Sequence, residues 1–191
     1  MAVDAPIRTS VIICGSGSAG LCAATWLARC GIDCKVLEKR SGPMRVGQAD
    51  GVQCRTVEVF ESFGLSEEML REAYHVIEVA FWNADGMGGV KRTRTAADTE
   101  LGLTHMPHVI LNQARLNGLL LEAMERFAAL KVDYGYETKD IQVDTDHAED
   151  PEAYPVRVVA ERDGKEEVFE AKYVLVSLTL VECQGHVVDA R

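Results

Sequence analysis

The chain predicts an α/β fold that opens on a parallel βαβ unit, and three observations carry that expectation. A short β-branched run, Val11-Ile12-Ile13-Cys14, is followed by a glycine-rich turn, Gly15-Ser16-Gly17-Ser18-Ala19-Gly20. A helical segment runs from about Ser18 to Arg29. A second short run, Cys34-Lys35-Val36-Leu37, ends on an acid, Glu38. Runs this short suit buried strands better than globular helices. A strand, a helix and a second strand in close succession form a crossover between parallel strands.

Each part has a physical job if a dinucleotide binds here. Gly15 permits the tight strand-to-helix turn, Gly17 has no Cβ to hold a pyrophosphate off the backbone, and Gly20 lets helix and strand pack closely. The helix N-terminus, at Ser18 and Ala19, offers N–H groups and the positive end of its dipole to phosphates. Glu38 stands 21 residues after Gly17, where a carboxylate can accept from ribose hydroxyls. It would repel a 2′-phosphate, which favours FAD or NAD over NADP at this site. Together these features predict a Rossmann-type dinucleotide-binding start.

The bulk properties bound the remaining choices. At 191 residues the chain suits one domain, or one domain plus part of another. Its net charge of −10 argues against a nucleic-acid surface and an anionic membrane. No apolar run reaches transmembrane length, and MAVDAPIRTS lacks a signal-peptide core, so the expected location is the cytoplasm. Of the six cysteines, Cys14, Cys22, Cys30 and Cys34 fall in the first βαβ unit, and none forms a C-x-x-C. Buried free thiols are expected, without a zinc site or disulfide framework. His105 and His108 form an H-x-x-H, but no supporting acids or cysteines accompany them. A loop or strand-entry role is expected there.

After Glu38 the basic, turn-rich stretch from Lys39 through Arg45 to Val52 reads as a loop returning past the nucleotide. Chemistry alone leaves Arg45 as either a pyrophosphate partner or a solvated cation. Asp50 is open between a base and a turn-forming residue, the latter being the more common case. A helix is expected from Arg55 to Phe63 with Gly64 as its stop, then Ser66 as the N-cap of a helix to about Ala73. Val76 to Trp82 and Val90 to Thr95 read as a hairpin, the start of a layer covering a substrate. His108 to Leu111 is a strand, and Asn112-Gln113 lead into a helix to about Phe127. Strands are expected at Lys131–Tyr136 and Lys139–Val143, then an acidic loop, and a second hairpin turning at Arg162-Asp163-Gly164.

Gly47-Gln48-Ala49-Asp50-Gly51-Val52-Gln53-Cys54-Arg55-Thr56, following the glycine motif, resembles the phenol 2-monooxygenase family. That family belongs to the FAD-dependent aromatic-ring hydroxylases that include p-hydroxybenzoate hydroxylase. The likeness continues through Val109-Ile110-Leu111-Asn112-Gln113-Ala114-Arg115-Leu116 and Ala148–Val156, and spans roughly residues 9–176. It implies an FAD-binding domain with part of a β-rich substrate domain, the hairpin within residues 76–108 belonging to the latter.

It also implies a flavin monooxygenase in which NADPH reduces FAD and O₂ is used to hydroxylate a phenol beside its hydroxyl. By motif, Gly15, Gly17, Ser18, Ala19 and Gly20 would hold the pyrophosphate, and Glu38, with Lys39 beside it, the ribose. Arg45, Gln48 and Ala49 would lie along the flavin, with Gln113 at the flavin end. Asp50 matches the family's active-site carboxylate, which helps deprotonate the phenol. Full-length members are expected to form homodimers.

Past Val176 the likeness stops. The family continues with a G-x-D-G-type motif, whereas this chain reads Ser177-Leu178-Thr179-Leu180-Val181-Glu182. Residues 177–191 are expected to form a divergent tail on an incomplete, truncated FAD-binding domain of doubtful activity alone. Two further readings stay open: a non-catalytic nucleotide-binding remnant or interaction fragment, and a compact NAD-dependent oxidoreductase, against which GQADG and the two hairpins speak.

Overall fold

A computed structural model describes residues 5–177. In chain order the elements are β1 (Ile7–Cys14), α1 (Ser18–Arg29), β2 (Cys34–Glu38), β3 (Gly51–Val52), α2 (Cys54–Ser62), α3 (Ser66–Glu72), β4 (Tyr74–Val76) and β5 (Glu78–Ala84). There follow β6 (Val90–Ala97), β7 (His108–Ile110), α4 (Gln113–Ala128), β8 (Val132–Tyr134), β9 (Glu137–Val143), a single 3₁₀ turn (Thr145–His147), β10 (Val156–Arg162) and β11 (Lys165–Val176). The described residues divide into two compact units, one of residues 5–44 and 120–177, the other of 45–119.

The first unit is built on a six-stranded sheet in the order β8-β2-β1-β11-β10-β9. β1 lies parallel to both β2 and β11, and Cys14 faces Leu37 on one side and Val176 on the other. Its end is buried on both sheet faces, which is why Ile12, Ile13 and Cys14 form an unbroken apolar run and are fully buried. α1 packs against β1 and β2. It buries Gly20, Leu21, Ala24, Thr25 and Ala28, a stripe at helical spacing. The Thr25 hydroxyl costs nothing there, because it donates to Leu21 O at 2.7 Å.

β11 does two jobs. Its first half pairs antiparallel with β10, and its second half runs parallel to β1. The hairpin between β10 and β11 turns on Asp163 and Gly164, both at positive φ (54° and 75°), the two-residue geometry that matches strand twist. Tyr136 and Phe169 meet edge-on at 5.5 Å in a core with Val156, Val158 and Ala171.

The second unit holds the antiparallel sheet β3-β7-β4 and the separate β5–β6 hairpin. α2 packs on α3 and β7, burying Val57, Phe60 and Met69. The β5–β6 hairpin bears exposed Phe81, Trp82 and Val90.

Several expectations change in detail. The strand expected over Val76–Trp82 is two strands, broken at Ile77. Ser66 is the first residue of α3 rather than its cap; Leu65 holds that position, without a side-chain cap bond. The strand expected over Lys131–Tyr136 stops at Tyr134, because Gly135 takes φ 83° and turns the chain into β9. Cys14 and Cys34 are buried, but Cys22 and Cys54 are half-buried and Cys30 is exposed. Cys183 and residues 178–191 of the expected tail lie outside the described residues. No helix among the described residues is long and apolar enough to cross a membrane.

Candidate functional site

In the first unit the end of β1 delivers the chain into a turn that only glycine-like backbone can make. Gly15 sits at φ 103°, a conformation that side chains resist, and its N–H donates to Leu37 O at 2.8 Å, tying the turn to β2. Gly17 is the N-cap of α1 with φ −69° and ψ 175°. Among the described residues, a Cβ built on Gly17 would meet nothing within 4 Å, whereas one on Gly20 would stand 2.1 Å from Gly15 O. The two glycines therefore serve different ends: one keeps space open outside the turn, the other allows close packing inside it. The first turn of α1 carries no acidic residue, so no side chain of its own opposes the positive end of the dipole.

Glu38, at the end of β2, is only 5% exposed, and protein donors grip both of its oxygens. Oε2 accepts from Ser16 N at 2.7 Å, Ser16 Oγ at 2.8 Å and Arg40 Nη2 at 3.0 Å. Oε1 accepts from Arg40 N and Arg40 Nε, each at 3.0 Å. Arg40 Nη2 also reaches Ser16 O at 3.2 Å and Ser16 Oγ at 3.1 Å. Burial, the largest single effect, opposes the charge on Glu38. The hydrogen bonds from Arg40 and Ser16 outweigh it and hold the carboxyl down at about 2.

Sequence reasoning reached Glu38 but missed Ser16 and Arg40. Ser16 occupies a variable position of the glycine motif, and its small size fits a buried turn. Arg40 was one of several cations in a basic loop, with no signal to separate it from Lys39, which is exposed.

In the second unit, β3 pairs with β7, Gly51 opposite Ile110 and Val52 opposite Val109. This pairing brings the GQADGV stretch beside the VILNQ stretch. Leu111 N donates to Asp50 O at 2.8 Å, and Gln48 N donates to Gln113 Oε1 at 2.9 Å. Gly47 is essential to this approach, since a Cβ there would lie 2.5 Å from Gln113 Cβ and 3.0 Å from its backbone nitrogen.

Asn112 does double duty. Its Oδ1 accepts from Ala114 N at 2.9 Å, capping α4, and its Nδ2 donates to Asp50 Oδ1 at 3.3 Å. An Asn just before an apolar-periodic helix is itself a cap signature, so this role had a sequence signal. Asp50, Arg45, Gln48 and Ala49 are exposed.

The two histidines of the H-x-x-H go separate ways. His105 pairs with Glu61 at 2.9 Å, and His108 Nδ1 lies 3.0 Å from both oxygens of Asp98. The hydrogen bond from His108 lowers the Asp98 carboxyl.

The model of a family described as "FAD binding domain" matches residues 8–177. The FAD-dependent monooxygenase terD of Aspergillus terreus is 61% identical over 174 residues, 89% of this chain and 28% of that protein. The 3-hydroxybenzoate 4-monooxygenase of Comamonas testosteroni is 39% identical over 179 residues, 89% of this chain and 27% of that protein. Among solved structures, the flavin-dependent monooxygenase PieE, in complex with FAD and substrate, superposes with a TM-score of 0.73 at 22% identity. It covers 91% of this chain and 30% of its own. The chain thus spans under a third of the length of these relatives.

Proposed function

The chain belongs to the FAD binding domain family, and from that premise we propose that it is the FAD-binding part of a flavin-dependent aromatic monooxygenase. The observation that carries the reading is the β1–α1–β2 turn, where an open Gly17, an acid-free helix start and a buried ionised Glu38 share one unit. This donor set suits an adenosine diphosphate: backbone N–H groups for the phosphates and a carboxylate for the ribose hydroxyls. Gly15, Gly17, Ser18, Ala19 and Gly20 are assigned to the diphosphate, and Glu38, flanked by Lys39, to the ribose.

For the second unit, the proposal assigns Arg45, Gln48, Ala49 and Gln113 to the flavin end of the cofactor. Asp50 is assigned the phenol. Its Oδ1 is held by Asn112, which would keep the carboxylate oriented while it accepts the proton of a substrate hydroxyl, making the ring more electron-rich. The β5–β6 hairpin is assigned to the layer that covers the substrate. Bound FAD supplies the transfer of electrons from NADPH and the activation of O₂. A phenolic substrate hydroxylated beside its hydroxyl is the proposed class. A phenol bearing a further acidic group is a natural variant, given the hydroxybenzoate enzyme among the relatives.

Titrating the 191-residue chain with FAD, followed by flavin absorbance and fluorescence, tests the first half. Saturable binding that weakens in Glu38→Ala supports it; a folded chain that leaves the flavin spectrum unchanged overturns it. NADPH oxidation and O₂ consumption with a panel of phenols, compared between the original protein and Asp50→Ala, test the second half.

A further inference from the structure

We propose that Arg40 is a positioning residue of the ribose subsite: it locks the Glu38 carboxylate in the orientation that a ribose hydroxyl meets, and yields one oxygen to it. The inference rests on the FAD reading above and adds a residue and a division of labour that neither the motif nor the family match assigns. The geometry separates the two carboxylate oxygens. Among the described residues, Oε1 is held by Arg40 alone, through its backbone N–H and Nε. Both Ser16 donors sit on Oε2. Without the Arg40 side chain, Oε1 would keep only the backbone N–H of residue 40, and the fork that fixes both oxygens together would be lost.

Oε2 is where a hydroxyl can enter. A carboxylate offers about four acceptor sites, and Glu38 already receives five donors from Ser16 and Arg40. An incoming hydroxyl must therefore displace one of them. Arg40 Nη2 carries two hydrogens and serves three acceptors, Glu38 Oε2, Ser16 O and Ser16 Oγ. It can release Oε2 and keep both Ser16 bonds, so the exchange strands no donor. The Arg40 side chain is 33% exposed against 6% for Glu38, which leaves it room to adjust where the carboxylate has none. Lysine cannot substitute, since one ammonium cannot span Oε1, Oε2 and the Ser16 carbonyl as a planar fork does.

The test compares ADP with 2′-deoxy-ADP by calorimetry on the 191-residue chain and its Arg40→Lys and Arg40→Ala variants, with circular dichroism to check folding. Arg40→Lys keeps the charge and the backbone bond to Oε1, so the turn is retained in at least one variant. The unaltered chain should prefer ADP by about tenfold, the worth of a hydrogen bond to a charged acceptor. In both variants that preference should shrink to within about twofold while diphosphate affinity largely persists. A merely structural role would weaken both ligands equally and leave the ratio intact; that result overturns the inference and spares the FAD reading. If the unaltered chain binds neither nucleotide, both fall together.

Discussion

Gly20 and Gly15 approach so closely that a Cβ on Gly20 would stand 2.1 Å from the Gly15 carbonyl oxygen and 3.3 Å from Ile13 Cγ2. The obstacle is backbone, so no rotamer change relieves it. Gly20→Ala must push α1 off β1, and should cost at least about 3 kcal/mol, the upper range for overpacking a tight core. Urea denaturation of the purified chain reads this directly. An unchanged midpoint would mean that the turn is looser than this geometry requires.

Gly17→Ala should do the reverse. Position 17 has φ −69°, comfortable for alanine, and its Cβ would touch none of the described residues. Stability should stay within about 0.5 kcal/mol. FAD affinity should fall at least about tenfold, because the new methyl stands where the diphosphate must approach the backbone. Denaturation and FAD titration on the same sample separate the two glycines: one variant loses the fold, the other the ligand.

The difference between these positions shows what could be read from sequence. The glycine spacing, the apolar run of β1, the α1 stripe and the Asp163-Gly164 turn are local signals, and each produced its element. The place of β11 depends on a pairing between residues 7–14 and 169–176, too remote for any local pattern to mark. The same holds for the site. Glu38 was legible by its distance from Gly17, but its partners were not: Ser16 arrives from the preceding strand's turn, and Arg40 bends back from a loop. Asn112 stands just before the helix that the sequence predicted, but its bond to Asp50 exists only because β3 pairs with β7.

Glu38 should impose an acid limit on stability. Its carboxyl is held at about 2 in the folded chain, against about 4.3 when unfolded. Above about pH 4.3 both states are ionised and the contribution, about 3 kcal/mol, is complete. As pH falls from there toward 2, the unfolded chain gains a proton that the folded chain refuses, so stability declines and the contribution is gone below about 2. Glu38→Gln should lose about 3 kcal/mol at pH 7 and flatten this acid limb. Denaturation curves between pH 7 and 2.5 check it; parallel acid limbs in the two proteins would count against it.

Gly47 and Gln113 should show how closely the GQADG loop depends on the start of α4. Gln113→Ala removes the acceptor of the Gln48 N–H, a 2.9 Å bond at an exposed position, and should cost about 1 kcal/mol or less. Gly47→Ala is the harsher change, because its Cβ would lie 3.0 Å from Gln113 N and 3.2 Å from Gln113 Cα, atoms that a helix start cannot move. The loop must shift instead, which breaks the same hydrogen bond and strains its neighbours, for about 2 kcal/mol in all. Hydrogen exchange locates the effect. Gln113→Ala should speed exchange at the Gln48 amide alone, whereas Gly47→Ala should also free Leu111 N–H, which is bonded to Asp50 O at 2.8 Å. Equal exchange patterns in the two variants would show that the side-chain bond, and not the close backbone approach, holds Asp50 in place.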